Sequence, residues 1–143
     1  MKDGLKIGAK ATHRFTVEGR HTVRALFAEE AAFPSMPAVF ATAYMTGLME
    51  WACVELIKPF YEGHEDSLGI HVDFSHLAPT LPGQVVTVEA ELTGIEGRKL
   101  DFRVSAHDGI DLIGEGRHAR ALIDTEKFAN RLAAKRAAAG LEG

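Results

Sequence analysis

Residues 38–57 read AVFATAYMTGLMEWACVELI, and this stretch decides the fold. Its only charged side chains are Glu50 and Glu55. Pro59 follows closely, and the residue before a proline disfavours helical backbone. The pattern therefore predicts one long apolar helix over residues 38–58. A carboxylate inside so apolar a helix either lies on an exposed stripe or serves a chemical purpose, because an unpaired buried charge is costly. Leu48, Met49 and Trp51 surround Glu50, and a solvent-facing Glu50 would strand some of them. The same carboxylates argue against a membrane span, at roughly 2–3 kcal/mol each on insertion scales.

Four strands are expected downstream of the helix. In the first, Leu68, Ile70, Val72 and Phe74 alternate with Gly69, His71, Asp73 and Ser75, a period of two that predicts one apolar face. His76 continues the apolar register, so a regular strand would aim its imidazole at the helix. Pro79, Pro82 and Gly83 end that strand. Val86, Val88, Ala90 and Leu92 mark the next, and Leu100, Phe102, Val104 and Ala106 the third, with a turn at Glu96-Gly97-Arg98 between them. Asp108-Gly109 predicts a tight hairpin in which both central residues take positive φ. The last strand covers about 110–123. An alanine-rich basic helix follows over 125–139, with Thr125 as its expected N-cap.

Upstream, the patchy alternation of residues 5–18 predicts one more strand. Residues 27–37 carry Pro34 and Pro37 around Phe33 and Met36. They are too proline-rich for a long helix, and predict a short lid segment. A single apolar helix that covers the apolar faces of an antiparallel sheet is an α+β architecture, and the order and lengths look like a hotdog fold. That resemblance implies a homodimer with ligand sites at the subunit boundary.

The 143 residues are expected to form one domain, 1–143, long enough for a sizeable core. A net charge of −4 gives no reason to expect nucleic acid or an anionic membrane as partner. The single cysteine, Cys53, excludes an internal disulfide framework and reads as packing. No signal peptide is visible, and a cytoplasmic location is expected. The seven histidines form no metal-site spacing, so neither a metal nor a cofactor is expected.

Thr42, Glu50 and His76 stand out as candidate chemistry. His76 can move protons near neutral pH, or be a core histidine bonded to backbone. Thr42 can place its hydroxyl beside free helix N–H groups, where an oxyanion is stabilised, or bond locally as a helix-start residue. At 100° per residue Thr42 and Glu50 lie roughly 80° apart around the helix, so they can border one cavity. Gly69 within a strand marks a bulge or a close approach of ligand to backbone.

Further stretches carry a specific resemblance. They include Val39-Phe40-Ala41-Thr42, Gly47 to Val54, Ser67-Leu68-Gly69, Glu96-Gly97-Arg98, Arg103 to Gly109 and Glu126-Lys127-Phe128. Over almost its whole length the chain resembles the fluoroacetyl-CoA thioesterase family of small hotdog enzymes. The resemblance implies that Thr42, Glu50 and His76 are the catalytic set and that the Gly69 backbone holds the acyl end. It also implies a phenylalanine lid over the acyl pocket. Phe33 matches one lid position, whereas Met36 replaces a second phenylalanine with a softer side chain, which leaves the substrate as fluoroacetyl-CoA or another short acyl-CoA. Arg98, Lys99, Arg117 and Arg120 are candidates for the CoA phosphates, with Arg120 counted among the substrate-binding residues. The expected reaction is hydrolysis of a short acyl-CoA, with Glu50 as either base or nucleophile. The alternatives are a hotdog hydratase or dehydratase on acyl thioesters and a non-catalytic acyl-CoA-binding module.

Overall fold

A computed structural model of the chain describes residues 1–141; the last two residues of the expected domain, 142–143, lie outside them. Five strands, β1 (Lys10–Thr16), β2 (Glu65–His76), β3 (Val85–Glu96), β4 (Lys99–His107) and β5 (Leu112–Asp124), form one antiparallel sheet in the order β1-β3-β4-β5-β2. Helix α1 (Thr42–Ile57) packs on one face and α2 (Thr125–Ala138) ends the fold. The core lies where α1 presents Met45, Leu48, Met49, Ala52, Cys53, Leu56 and Ile57 to the inner faces of β3 and β4. Those strands keep the expected alternation: Val86, Val88, Ala90, Leu92, Leu100, Phe102, Val104 and Ala106 are all buried. Each large apolar side chain among them contributes roughly 1.5–3 kcal/mol by leaving water. Burial also pushes the Cys53 thiol up to about 12, which leaves it an inert core group.

The helix is shorter than the sequence pattern suggests. Val39 and Phe40 are extended, and Phe40 bridges to Thr22. Its other end tightens into a 3₁₀ turn at Lys58–Phe60 that takes up Pro59 near its start, where a missing N–H does no harm. Segment 27–37 is a run of turns, in which Phe27 adopts φ 47° and its ring lies 5.5 Å from Phe33.

Three local expectations are corrected. In β2 the register shifts between Gly69 and His71, so Ile70 is an extra residue and the inward parity changes there. Ser67 is buried as a result, while Leu68, Ile70 and Val72 are 41%, 54% and 47% exposed instead of covered by the helix. The β4–β5 connection is longer than a two-residue hairpin. Asp108 N donates to Asp111 O, and Asp108 Oδ1 accepts from the amides of Ile110 and Asp111. A carboxylate thus organises the turn, and only Gly109 of the pair takes a positive φ, of 91°. Finally, Asp124 and not Thr125 caps α2, its carboxylate accepting from the amides of Glu126 and Lys127.

Candidate active site

Thr42 is the first residue of α1, and the chain that delivers it is pinned on both sides. Ala41 N donates to His21 O at 3.0 Å and Phe40 N to Thr80 O at 2.9 Å. Ala41, as N-cap, has no side-chain oxygen for the helix, so nothing else competes for this end. The Thr42 hydroxyl meets His76, the last residue of β2: Oγ1 and Nδ1 share a hydrogen bond of 2.8 Å. The other ring nitrogen of His76, Nε2, is buried without a hydrogen-bond partner. Burial lowers the His76 pKa, partly opposed by the Ala78 backbone, so the imidazole is neutral at neutral pH and can take up a proton. A shallow, open depression of about 350 Å³ borders the pair, lined also by Val23, Val39, Phe40 and Leu77.

Glu50 belongs to a different cluster. It sits two turns along the helix, about 12 Å from Thr42 along the axis, with its side chain 35% exposed. Arg120 Nη1 donates to Glu50 Oε1 at 3.3 Å. The rest of the guanidinium is held from behind: Nε donates to Ser67 Oγ at 2.8 Å and Nη2 to Ser67 O at 2.9 Å. Tyr61 Oη bonds the same Ser67 hydroxyl at 2.6 Å. His118, with no exposed side-chain surface, lies 3.6 Å from Glu50 Oε1. Gly69 leaves the room for this carboxylate, because a Cβ there would stand 2.5 Å from Glu50 Oε1 and 3.1 Å from His118 Cε1.

Of the three candidate catalytic residues, the chain therefore brings Thr42 and His76 together and leaves Glu50 apart. Gly69 stands against Glu50, while Phe33 and Met36 do not line the depression; Arg24 Nε ties the Met36 carbonyl at 2.6 Å. The expectation that Arg120 is a surface cation for phosphate is corrected: its guanidinium is buried because Ser67, His118 and Glu50 surround it. Lys99 pairs with Asp101 at 3.6 Å, and Arg117 lines an outer groove of the sheet with Asp73 and Asp101. Arg98 lines a separate cleft of about 830 Å³ with Lys127, Arg131 and Phe128. Sequence reasoning missed Ser67 and His118. His118 and Arg120 lie on a strand to which no face was assigned, and the partners that surround them are remote in the chain. Among the described residues, no three His, Cys, Asp or Glu side chains are grouped to hold a metal ion, and no helix is long and apolar enough to cross a membrane.

Residues 17–126 match the family model of the fluoroacetyl-CoA-specific thioesterases. A fluoroacetyl-CoA thioesterase of Streptantibioticus cattleyicolor is 53% identical over 128 residues, which span 90% of this chain and 92% of that protein. A solved structure of the fluoroacetyl-CoA thioesterase FlK aligns with a TM-score of 0.90 at 50% identity, covering 93% of this chain and 98% of that one. A mutant of the same enzyme, solved with fluoroacetate and CoA, aligns with a TM-score of 0.84 at 52% identity, covering 87% of this chain and 99% of that one. The sheet wrapped on α1 is a hotdog fold, as its sequence order suggested. The chain belongs to the fluoroacetyl-CoA-specific thioesterase family.

Proposed function

We propose that this chain hydrolyses a short acyl-CoA, fluoroacetyl-CoA or a close analogue, to the carboxylate and free CoA. The observation that carries this reading is the Thr42–His76 hydrogen bond beside the open depression. Water adds to the thioester carbonyl, the C–S bond breaks, and the departing thiolate takes a proton. Thr42 and the free N–H groups of the α1 N-terminus stabilise the oxyanion. His76, neutral beforehand, accepts a proton and returns it to sulfur. Glu50 acts either as base for the water or as nucleophile through a mixed anhydride that water then opens. Either role suits a carboxylate held at one oxygen by Arg120.

A homodimer accounts for the offset of about 12 Å between Thr42 and Glu50 along α1. β2 is a 12-residue edge strand whose Leu68, Ile70 and Val72 are exposed, and a long apolar edge is a ready pairing surface. Antiparallel pairing of two copies along it carries the His76 end of one strand over the Glu65 end of the other. The Thr42–His76 pair of one protomer then faces Glu50 of its partner, and the depression lies at the boundary. A cytoplasmic location accords with the one free buried cysteine.

A thiol-release assay on fluoroacetyl-CoA, acetyl-CoA and longer acyl-CoAs tests the reading. Turnover of the short esters is expected. Binding of CoA esters without turnover would replace it with the non-catalytic module. Strong preference for fluoroacetyl-CoA would show that Met36 preserves a discriminating lid, and loss of that preference would mark a general short-chain enzyme.

A further inference from the structure

His118 is a fully buried ionisable side chain beside Glu50, and the hydrolytic scheme above gives it no task. Its two nitrogens are nevertheless both committed. Nδ1 lies 2.7 Å from the His71 carbonyl oxygen. A carbonyl only accepts, so Nδ1 carries the proton. Nε2 lies 3.1 Å from Arg120 Nη1. Arginine only donates, so Nε2 is a lone-pair acceptor. The ring is thereby fixed as one neutral tautomer, set between the Phe74 and Phe102 rings at 6.1 and 6.2 Å.

We propose that His118 is a positioning residue: as a neutral acceptor it aims Arg120 Nη1, and through it Glu50, at the thioester. This rests on the thioesterase reading, in which Glu50 acts on the substrate. Three contacts fix the guanidinium plane, two to Ser67 and one to His118. The Ser67 contacts hold Nε and Nη2, and His118 alone among them orients Nη1, the nitrogen that reaches Glu50. The anchor of His118 is His71, on the far side of the Ile70 bulge, so the bulge that misled the strand reading also supplies the carbonyl. His118 thus ties the β2 edge, Arg120 and the catalytic carboxylate into one unit.

The arrangement holds only while His118 is neutral. A second proton, on Nε2, would face the Arg120 cation. Burial lowers the His118 pKa, opposed by the His71 backbone bond and by Glu50, and reinforced by the charges of Arg120 and His71. The titratable groups that face it are Glu50 from α1, His71 from β2 and Arg120 on its own strand, while β4 presents the Phe102 ring.

The test compares His118→Gln with His118→Phe in the full chain on acetyl-CoA and fluoroacetyl-CoA, with NMR of the histidine nitrogens in the wild-type protein. Glutamine keeps an acceptor near the Nε2 position, whereas phenylalanine fills the space without one. We expect the Phe variant to lose about tenfold or more in kcat, the scale of one hydrogen bond to a charged group. KM should stay within about threefold, and the Gln variant should recover most of the loss. NMR should show the Nδ1–H tautomer, persisting below the ordinary histidine range. Wild-type kcat in the Phe variant overturns the proposal, as does a proton on Nε2 at neutral pH. If the Phe variant does not fold, equal loss of kcat in the Gln variant and in a second variant, His118→Leu, overturns it as well. Absence of turnover in the wild-type protein sinks the thioesterase reading instead, and is recognised as such because the tautomer is read without substrate.

Discussion

The start and the middle of α1 hold their functional groups in opposite ways. At the N-terminal end, Thr42 and His76 are linked by one hydrogen bond, open to a shallow depression, and His76 Nε2 has no partner. Two turns on, Glu50 leans on a buried frame in which Arg120, His118, Ser67 and Tyr61 satisfy one another. The first end suits proton movement, since an imidazole with an uncommitted nitrogen can gain and lose protons. The second suits a carboxylate whose position must not drift, since a displacement of about 1 Å can cost about 10²-fold in rate. One helix carries both, about 12 Å apart, and the proposed mechanism needs both.

The largest effects should come from removing the acting groups. Glu50→Gln and His76→Ala are each expected to lower kcat by about 10²–10⁴-fold, measured by thiol release, with circular dichroism unchanged. A Glu50→Gln enzyme with full turnover would remove the carboxylate cluster from the chemistry. Gly69→Ala comes next. Its Cβ would sit 2.5 Å from Glu50 Oε1, and the carboxylate must move, so kcat should fall by about tenfold to a hundredfold while the fold persists. The mutation leaves the Thr42–His76 end untouched, and an unchanged rate would show that Glu50 needs no fixed place.

Acid should affect both clusters in the same direction. His76 and His118 are each lowered by burial. Below the ordinary histidine pKa the unfolded chain binds more protons than the folded one, so stability is full above it and falls as pH drops toward the depressed values. Thermal melts between about pH 7 and pH 5 should show Tm decreasing with pH, with a shallower slope in His118→Gln. The smallest effect lies far from either cluster. Asp124→Ala removes the α2 cap and should lower Tm slightly in the same melts while leaving kcat unchanged.

The sequence was most legible where one periodicity ran undisturbed. The inward residues of β3 and β4 follow strict alternation, and the α1 run is apolar over almost its whole length. Position made Thr42, near the expected helix start, and His76, continuing the register past Phe74, candidates only, and it was the family resemblance that joined them to Glu50 as one set. β2 was misread because a bulge is one extra residue with no hydropathy of its own, and Gly69 was its only trace. The sheet order, which makes β2 an edge strand, depends on pairings between remote segments. His118 was hidden for the same reason. Its partners, His71 and Glu50, lie 47 and 68 residues away in the chain, and only the folded sheet makes this histidine a buried acceptor.

The most direct test of the account is to mix the two inactive variants, Glu50→Gln and His76→Ala, after dissociation and reassociation of their subunits. If each site joins His76 of one protomer to Glu50 of its partner, half of the sites in every mixed dimer are intact. Random two-fold pairing then restores about a quarter of wild-type activity. If both residues act within a single protomer, every site in the mixture lacks one of them, and no activity returns.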